Sequence, residues 1–227
     1  MKIAILGAMI EEIEPLLALY EHETVEFGGN KFYLAKHKNH ELIIAYSKIG
    51  KVNSALTAAV MTLKFGAEIL LFTGVAGAVN ESLKIGDLVY ATKAAQHDLD
   101  ISAFGHPLGF VPGGKVFVES DAKLNKIALE VAANLGVNLR PAVIASGDQF
   151  ICDEAKKSWI KENFSADIVE MEGASVAVAC DSLGIPFFIL RSISDSAGEK
   201  AEFDFDEFLV ESAKISLNFI SNLVEKL

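Results

Sequence analysis

Residues 69–77 have the sequence Ile-Leu-Leu-Phe-Thr-Gly-Val-Ala-Gly, an apolar run that ends in a turn of small residues. Such a run is typical of a β-strand that is buried on both faces, as in a parallel sheet covered by helices. Similar runs recur along the chain, separated by segments whose apolar residues follow a helical period. We predict β-strands at residues 3–6, 42–46, 69–73, 87–92, 142–145, 168–169 and 187–190.

The helical segments carry the expected start and stop signals. Asp121 and Asp153 stand where an N-cap side chain would accept free amide protons, and Gly66, Gly136 and Gly184 stand where helices should end. We predict helices at residues 10–20, 53–65, 121–135, 154–163, 173–183 and 205–226.

The order of these elements predicts the fold class. Strands that alternate with helices, and that are apolar along their whole length, predict an α/β fold with three layers, αβα. The hairpin-like stretch 25–46 breaks the alternation and predicts a mixed central sheet. No repeat or linker divides the chain, so we expect one domain over residues 1–227.

The composition excludes several classes of function. The chain has 31 acidic and 20 basic residues, a formal net charge of −11, and no Lys/Arg cluster, which argues against nucleic acids and anionic membranes as partners. No apolar run reaches the roughly 18–20 residues of a membrane span, and residues 1–7 resemble a first strand rather than a signal peptide. Cys152 and Cys180 lack metal-ligand spacing, and His97 has no second ligand at a suitable distance along the chain. We expect a cytoplasmic protein without a metal ion or other cofactor.

Polar side chains follow several of the predicted strands. Glu11-Glu12, Ser146–Phe150, Glu170-Met171-Glu172 and Arg191–Asp195 each stand just past a strand, where ligands collect in open α/β sheets. Each group also has an alternative interpretation. The first pair would suit a helix N-terminus, Met171 and Phe150 would suit the core, and Arg191 with Asp195 would suit a structural ion pair.

The segment 97–114 is unusually apolar for a surface loop. It contains Phe104, His106, Pro107 and Phe110. Long loops within a compact domain are usually lids, binding loops or interface elements. An apolar loop of this kind is poorly tolerated in open water, so we expect it to be covered.

Taken together, the motifs closely resemble the 5′-methylthioadenosine/S-adenosylhomocysteine nucleosidase family, which has the nucleoside phosphorylase-like fold. The resemblance covers essentially the whole chain. Val75, Gln149 and the loop 104–110 are most similar to members that also hydrolyse 6-amino-6-deoxyfutalosine. The motifs are Gly-Ala-Met-Ile-Glu-Glu at 7–12, Ser-Lys-Ile-Gly-Lys at 47–51, Thr-Gly-Val-Ala-Gly at 73–77, Ser-Gly-Asp-Gln-Phe at 146–150, Val-Glu-Met-Glu at 169–172, Arg-Ser-Ile-Ser-Asp at 191–195 and Phe-Asp-Glu-Phe at 205–208.

The resemblance implies a mechanism and a set of site residues. Asp195 is expected to donate a proton to adenine N7, Glu12 to activate the attacking water, and Glu172 to hold the ribose hydroxyls and offset the positive charge of the sugar. Arg191 and Ser194 are expected to orient these groups. The remaining substrate contacts implied are Met9, Ile49, Val75, Ala76, Gly77, Phe150, Ile151, Glu170, Met171 and Phe205. The resemblance also implies a homodimer in which Ile101, Phe104 and His106 or Pro107 close the pocket of the partner subunit.

The expected reaction is hydrolysis of 5′-substituted adenosines with release of adenine. The expected substrates are methylthioadenosine, S-adenosylhomocysteine, 5′-deoxyadenosine and 6-amino-6-deoxyfutalosine, which would place the enzyme in methionine salvage and menaquinone biosynthesis. A nucleoside phosphorylase of the same fold is one alternative, but Phe72 and Val75 stand where those enzymes place an Arg and a Ser for phosphate. A nucleoside sensor without catalytic activity is a second alternative, although binding alone would not require Glu12.

Overall fold

The structure is a computed structural model that describes residues 1–198 and 201–227, without the side chains of residues 202, 203, 206 and 207. The side chains of Asp206 and Glu207, in the last of the predicted motifs, therefore lie outside the described residues. The described strands are β1 (Lys2–Gly7), β2 (His22–Phe27), β3 (Asn30–His37), β4 (His40–Tyr46), β5 (Ile69–Phe72), β6 (Val75–Ala78), β7 (Leu88–Gln96), β8 (Val118–Glu119), β9 (Leu139–Ser146), β10 (Ile168–Glu170) and β11 (Phe187–Asp195). The α-helices are α1 (Glu14–Leu17), α2 (Lys51–Leu63), α3 (Ala122–Leu135), α4 (Glu154–Phe164), α5 (Gly173–Leu183) and α6 (Ala201–Lys226).

The strands form one mixed sheet in the order β2-β3-β4-β1-β5-β11-β6-β10-β9-β7-β8. Strands β4, β1, β5 and β11 are parallel, whereas β2, β3 and β4 form antiparallel hairpins, as the stretch 25–46 predicted. The long strand β11 also pairs with β7, and this pairing closes β11, β6, β10, β9 and β7 into a ring. The mixed sheet confirms the predicted fold class.

Helices cover both faces of the sheet. Helices α2 and α5 pack against each other and against one core cluster, to which they contribute Met61 and Val176. Helices α3 and α6 pack on the other face, where Val131 and Leu223 are fully or almost fully buried. The side chains on each strand therefore alternate between two apolar layers, which explains why the strands are apolar along their whole length. No helix among the described residues is long and apolar enough to cross a membrane.

The caps follow the sequence prediction. The Asp121 side chain accepts hydrogen bonds from two amides in the first turn of α3, and Asp153 accepts one at the start of α4. Gly136 and Gly184 take left-handed conformations at the C-termini of α3 and α5. These four predictions are confirmed. Gly66 lies three residues past the last residue of α2 and has a φ of +78°.

Three element predictions are wrong. Residues 10–20 form a 3-10 turn (Ile10–Glu12) and the four-residue helix α1, because Pro15 cannot donate a backbone hydrogen bond and starts a new helix instead. The small-residue turn 74–77 lies mostly in strand β6, which pairs with β10 and β11. Residues 191–195 lie within β11 rather than beyond its end, because the pairings with β6 and β7 extend that strand.

Candidate active site

One cavity of about 340 Å³ lies at the carboxyl ends of β1, β10 and β11. Ligands gather at this edge in α/β sheets, so its place agrees with the strand-end prediction. Its lining is mostly apolar, and the charged lining residues are all carboxylates. The lining residues are Ala8, Met9, Glu12, Ile49, Val75, Ala76, Gly77, Gln149, Phe150, Ile151, Val169, Glu170, Met171, Glu172, Ser194, Asp195 and Phe205.

Glu12 is held by backbone amides from two directions. Its Oε2 accepts hydrogen bonds from the amides of Ala8 (2.6 Å) and Met9 (3.0 Å), and its Oε1 accepts one from the amide of Val75 (3.1 Å). A Cβ added to Gly74 would lie 2.5 Å from Oε1, so the missing side chain at that position makes room for the carboxylate. Burial raises the pKa of Glu12, and the charge of Arg191 and the three amides oppose this rise.

Asp195 ends β11 on the other side of the cavity. Its Oδ1 accepts a hydrogen bond from the amide of Ala197 (2.8 Å), and its Oδ2 accepts one from the Ser194 hydroxyl (2.9 Å). A Cβ on Gly77 would lie 2.6 Å from Oδ1, so this glycine too makes room for a carboxylate. Burial raises the pKa of Asp195, which favours the protonated form of this carboxyl group.

Glu172 also lines the cavity and stands at the start of α5. Its Oε1 accepts a hydrogen bond from the amide of Gly50 (2.8 Å), in the turn before α2. Burial and the nearby charge of Glu170 raise the pKa of Glu172 to about 8, although the Gly50 amide and Arg191 act in the opposite direction. A nearby positive charge, such as a cationic sugar, would lower this pKa again.

Arg191 lies behind the cavity and does not line it. Its Nη2 donates to Glu170 Oε2 at 2.7 Å, and its guanidinium lies 4.0 Å from the centre of the Phe72 ring. Glu170 also accepts hydrogen bonds from the Ser146 hydroxyl and the Gly173 amide. The structural ion pair considered for Arg191 and Asp195 is therefore not formed; the partner of Arg191 is Glu170. This buried network holds the strand ends from which Glu172 and Asp195 project.

The structure brings together most of the predicted site residues. Every predicted substrate contact lines the cavity, and of the four predicted catalytic residues only Arg191 does not. Ala8, Gln149 and Val169 line it without having been predicted as contacts, although each is in or beside a quoted motif. Adjacency to those motifs was the signal available for these three residues.

The loop 97–114 does not reach the cavity of its own chain. Phe104 is 81% exposed, Ile101 and His106 are half-buried, and Pro107 is exposed. The His106 ring packs on Phe110 at 5.4 Å between ring centres. These residues are therefore placed where a second molecule can contact them. Among the described residues, no group of three His, Cys, Asp or Glu side chains is arranged to hold a metal ion.

The fold and the site together define a class of protein. The model of the phosphorylase superfamily matches residues 2–227. An aminodeoxyfutalosine nucleosidase of Campylobacter jejuni is 66% identical, with both chains covered in full. A 5′-methylthioadenosine/S-adenosylhomocysteine nucleosidase of an Exiguobacterium strain is 41% identical over 95% of this chain and 94% of the relative. A solved Helicobacter pylori nucleosidase with 5′-methylthioadenosine in its active site superposes with a TM-score of 0.98, at 49% identity over 100% of this chain and 99% of that one.

The chain thus belongs to the phosphorylase superfamily and, within it, to the family of aminodeoxyfutalosine and 5′-methylthioadenosine/S-adenosylhomocysteine nucleosidases. This membership confirms the family predicted from the motifs. It also confirms the prediction of an N-glycosyl hydrolase, since the relatives carry that activity in their names.

Proposed function

We propose that this chain hydrolyses the N-glycosidic bond of 5′-substituted adenosines and releases adenine. The observation that carries the proposal is the set of three buried carboxyl groups, Glu12, Glu172 and Asp195, which face one largely apolar cavity. Each belongs to a different element and has its own amide partners, so each can act on a different part of the substrate.

In this proposal Asp195 acts on the base. Its raised pKa lets it donate a proton to N7, which makes adenine a better leaving group. The bond between C1′ and N9 then breaks and leaves an oxocarbenium-like sugar. Glu172 binds the ribose hydroxyls and stabilises the positive charge, and Glu12 accepts a proton from the water that attacks C1′. Phe150 is 41% exposed and stacks on the base. The Phe205 ring packs edge-on against the Phe150 ring, with 5.6 Å between the ring centres.

The charge of the cavity favours hydrolysis over phosphorolysis. Phosphate requires cationic or multiple amide donors beside the ribose. Among the described lining residues there is no Lys or Arg, and Arg191 donates to Glu170 instead. The amides of Ala8 and Val75 already donate to the Glu12 carboxylate, whose charge would repel a phosphate ion.

The proposed substrates are methylthioadenosine, S-adenosylhomocysteine, 5′-deoxyadenosine and 6-amino-6-deoxyfutalosine. The relatives at 66% and 41% identity are named for different members of this set, which supports a site that tolerates several 5′ groups. We propose that the enzyme serves both methionine salvage and menaquinone biosynthesis, as a single cytoplasmic domain that needs no cofactor.

We further propose that the enzyme is a homodimer with shared pockets. On α2 the large apolar side chains of Val52, Leu56 and Leu63 are 76%, 57% and 73% exposed, and Phe104 is 81% exposed. The spacing of Val52, Leu56 and Leu63 puts them on one face of α2, and exposed apolar side chains grouped in this way typically mark a protein interface. Phe104, together with Ile101 and His106 or Pro107, would then cover the 5′ group in the pocket of the partner subunit.

The proposed reaction is tested with purified protein and methylthioadenosine, with and without inorganic phosphate. We expect adenine and a free 5-substituted ribose in equal amounts, at a rate that does not depend on phosphate. A sugar 1-phosphate as product would show a phosphorylase, and binding without adenine release would show a sensor. Competition between the four nucleosides then ranks them by kcat/KM.

A further inference from the structure

The mouth of the cavity has two sides that come from distant parts of the chain. One side is the segment that carries Ile49 and the other is the segment that carries Phe150; both side chains line the cavity and are considerably exposed. Ile49 lies in the turn before α2, in which Lys48 and Gly50 have φ values of +74° and +102°. Phe150 lies in the connection between β9 and α4. The width of the mouth therefore depends on what joins these two segments.

Three polar residues join the two sides in a closed ring of hydrogen bonds. The backbone amide of Lys51 donates to Asp148 Oδ1 at 2.7 Å, and the backbone amide of Asp148 donates to Asp98 Oδ2 at 2.8 Å. The ring closes where Lys51 Nζ donates to Asp98 Oδ1 at 2.5 Å. Lys51 lies two residues from Ile49, and Asp148 lies two residues from Phe150.

The ring of hydrogen bonds is connected to Glu172, the proposed ribose-binding carboxylate, and to the core. The Gly50 amide, next to Lys51, donates to Glu172 Oε1 at 2.8 Å. Next to Asp98, the buried His97 ring lies so close to Gly147 that an added Cβ would be 2.4 Å away. A shift of the end of β7, before His97, or of the end of β9, before Gly147, would therefore be transmitted to the ring of hydrogen bonds and to Glu172.

The environment of the ring makes its ion pair stronger than an ordinary surface pair. The side chains of Lys51 and Asp98 are 15% and 21% exposed, whereas those of Lys115 and Asp181, a pair elsewhere in the fold, are 60% and 41% exposed. Charges withdrawn from water interact more strongly and are screened less by salt.

We propose that Lys51, Asp98 and Asp148 form a positioning clamp. The clamp fixes the separation between the base subsite, at Phe150, and the ribose subsite, at Glu172. None of the three lines the cavity, so they act through Phe150 and Glu172 rather than by touching the substrate. The inference rests on the proposed function, because only a ligand with both a base and a sugar spans the two sides.

The clamp is tested by measuring kcat/KM for methylthioadenosine and the inhibition constant of adenine in Asp98→Ala. A nucleoside must fit both subsites at once, whereas adenine occupies one. We expect kcat/KM to fall about tenfold or more, the equivalent of one charged hydrogen bond. The adenine inhibition constant should change less than about threefold, because the base subsite can relax around adenine alone. Equal losses for both ligands, or no loss for the nucleoside, would overturn the clamp.

Two further variants keep the test decisive. Asp98→Asn retains an acceptor for the Asp148 amide and removes the charge that binds Lys51. We therefore expect a smaller loss of kcat/KM for methylthioadenosine, again with little change in the adenine inhibition constant. This variant also serves as the test if Asp98→Ala does not fold. Asp181→Asn breaks the exposed Lys115 pair and should leave both constants unchanged. If the wild-type protein releases no adenine, the proposed function fails; if it does and both Asp98 variants match it, only the clamp fails.

Discussion

Among single residues, the three carboxyl groups with proposed catalytic roles differ in what surrounds them. Glu12 accepts three backbone hydrogen bonds, Asp195 accepts one from an amide and one from a hydroxyl, and Glu172 accepts one. Burial raises the pKa of all three. Glu12, with the most donors, is the group whose ionised form is stabilised most by hydrogen bonds, which suits its proposed role as the base.

The first prediction concerns the proposed acid, Asp195. An amide in Asp195→Asn keeps the shape of the side chain and has no acidic proton to donate, so kcat for methylthioadenosine should fall by about 10²–10⁴-fold. Binding should survive, as measured by calorimetry with the unhydrolysed nucleoside. Ser194→Ala, which removes only the hydroxyl bonded to Oδ2, should lose far less activity. Normal turnover in Asp195→Asn would contradict the assigned role.

A second prediction concerns the pH dependence of stability through Glu172. Its pKa is about 8 in the folded state and near the ordinary 4.5 in the unfolded state. Between these values the folded state binds more protons, so the contribution of Glu172 to stability falls as pH rises, by up to about 1.4 kcal/mol per pH unit. Glu172→Gln removes this term. Urea unfolding should therefore show the variant gaining on the wild type between pH 5.5 and pH 8; a constant difference would refute the raised pKa.

At the scale of elements, strand β11 shows what the sequence could and could not predict. The polar residues Arg191, Ser194 and Asp195 were visible as an interruption of an apolar strand, and their place near a site followed from it. Strict alternation would put Arg191 and Asp195 on one face. The register shift between Ile193 and Asp195 breaks the alternation, so that adjacent residues Ser194 and Asp195 both line the cavity. A bulge depends on the partner strand, which the sequence of β11 does not contain.

The clamp is a similar case. Lys51, Asp98 and Asp148 are separated by 47 and 50 residues along the chain, and none stands in a motif whose spacing implies an ion pair. Only the pairing of β7 with β9 brings the last two side by side. Cavity residues could be predicted because strand ends are visible in the sequence, whereas contacts between loops depend on sheet order.

A third prediction concerns the close contact of β6 with β11. Gly77→Ala adds a Cβ that would lie 2.6 Å from Asp195 Oδ1, so the carboxyl must move. A displacement of about 1 Å at a catalytic group can lower kcat by about 100-fold, whereas the cost in stability should be only about 1–3 kcal/mol. Gly136→Ala, at the end of α3, has open space and a φ of +65°. It should lose about 1 kcal/mol of stability and no activity. Equal activity in the two variants would contradict this account.

At the scale of the whole molecule, the proposed catalytic groups lie in one cavity, whereas several large apolar side chains of the described residues are exposed. Phe104 is one of these side chains, and Val52, Leu56 and Leu63 of α2 are others. Residues that a homodimer shares across its interface are repeated by symmetry, so each subunit would give a Phe104 and receive one. The apolar composition of the loop 97–114 predicted that the loop is covered, although the sequence could not indicate which surface of the partner it contacts.

The last prediction tests that exchange by co-expressing two defective chains. Asp195→Asn lacks the proposed acid, and Phe104→Ala lacks the side chain that each subunit would give to its partner. In a mixed dimer, one pocket combines the intact Asp195 of one chain with the intact Phe104 of the other. With random pairing, about a quarter of all pockets should be intact. The measured kcat/KM of the mixture should therefore exceed the mean of the two parent variants. The matched control is the co-expression of an Asp195→Asn chain with a Phe150→Ala chain. Each of these defects lies in the pocket of its own chain, so no pairing of the two chains repairs it. A shared pocket is contradicted if the first mixture shows only the mean of its parents, because Phe104 would then act in its own subunit or not at all.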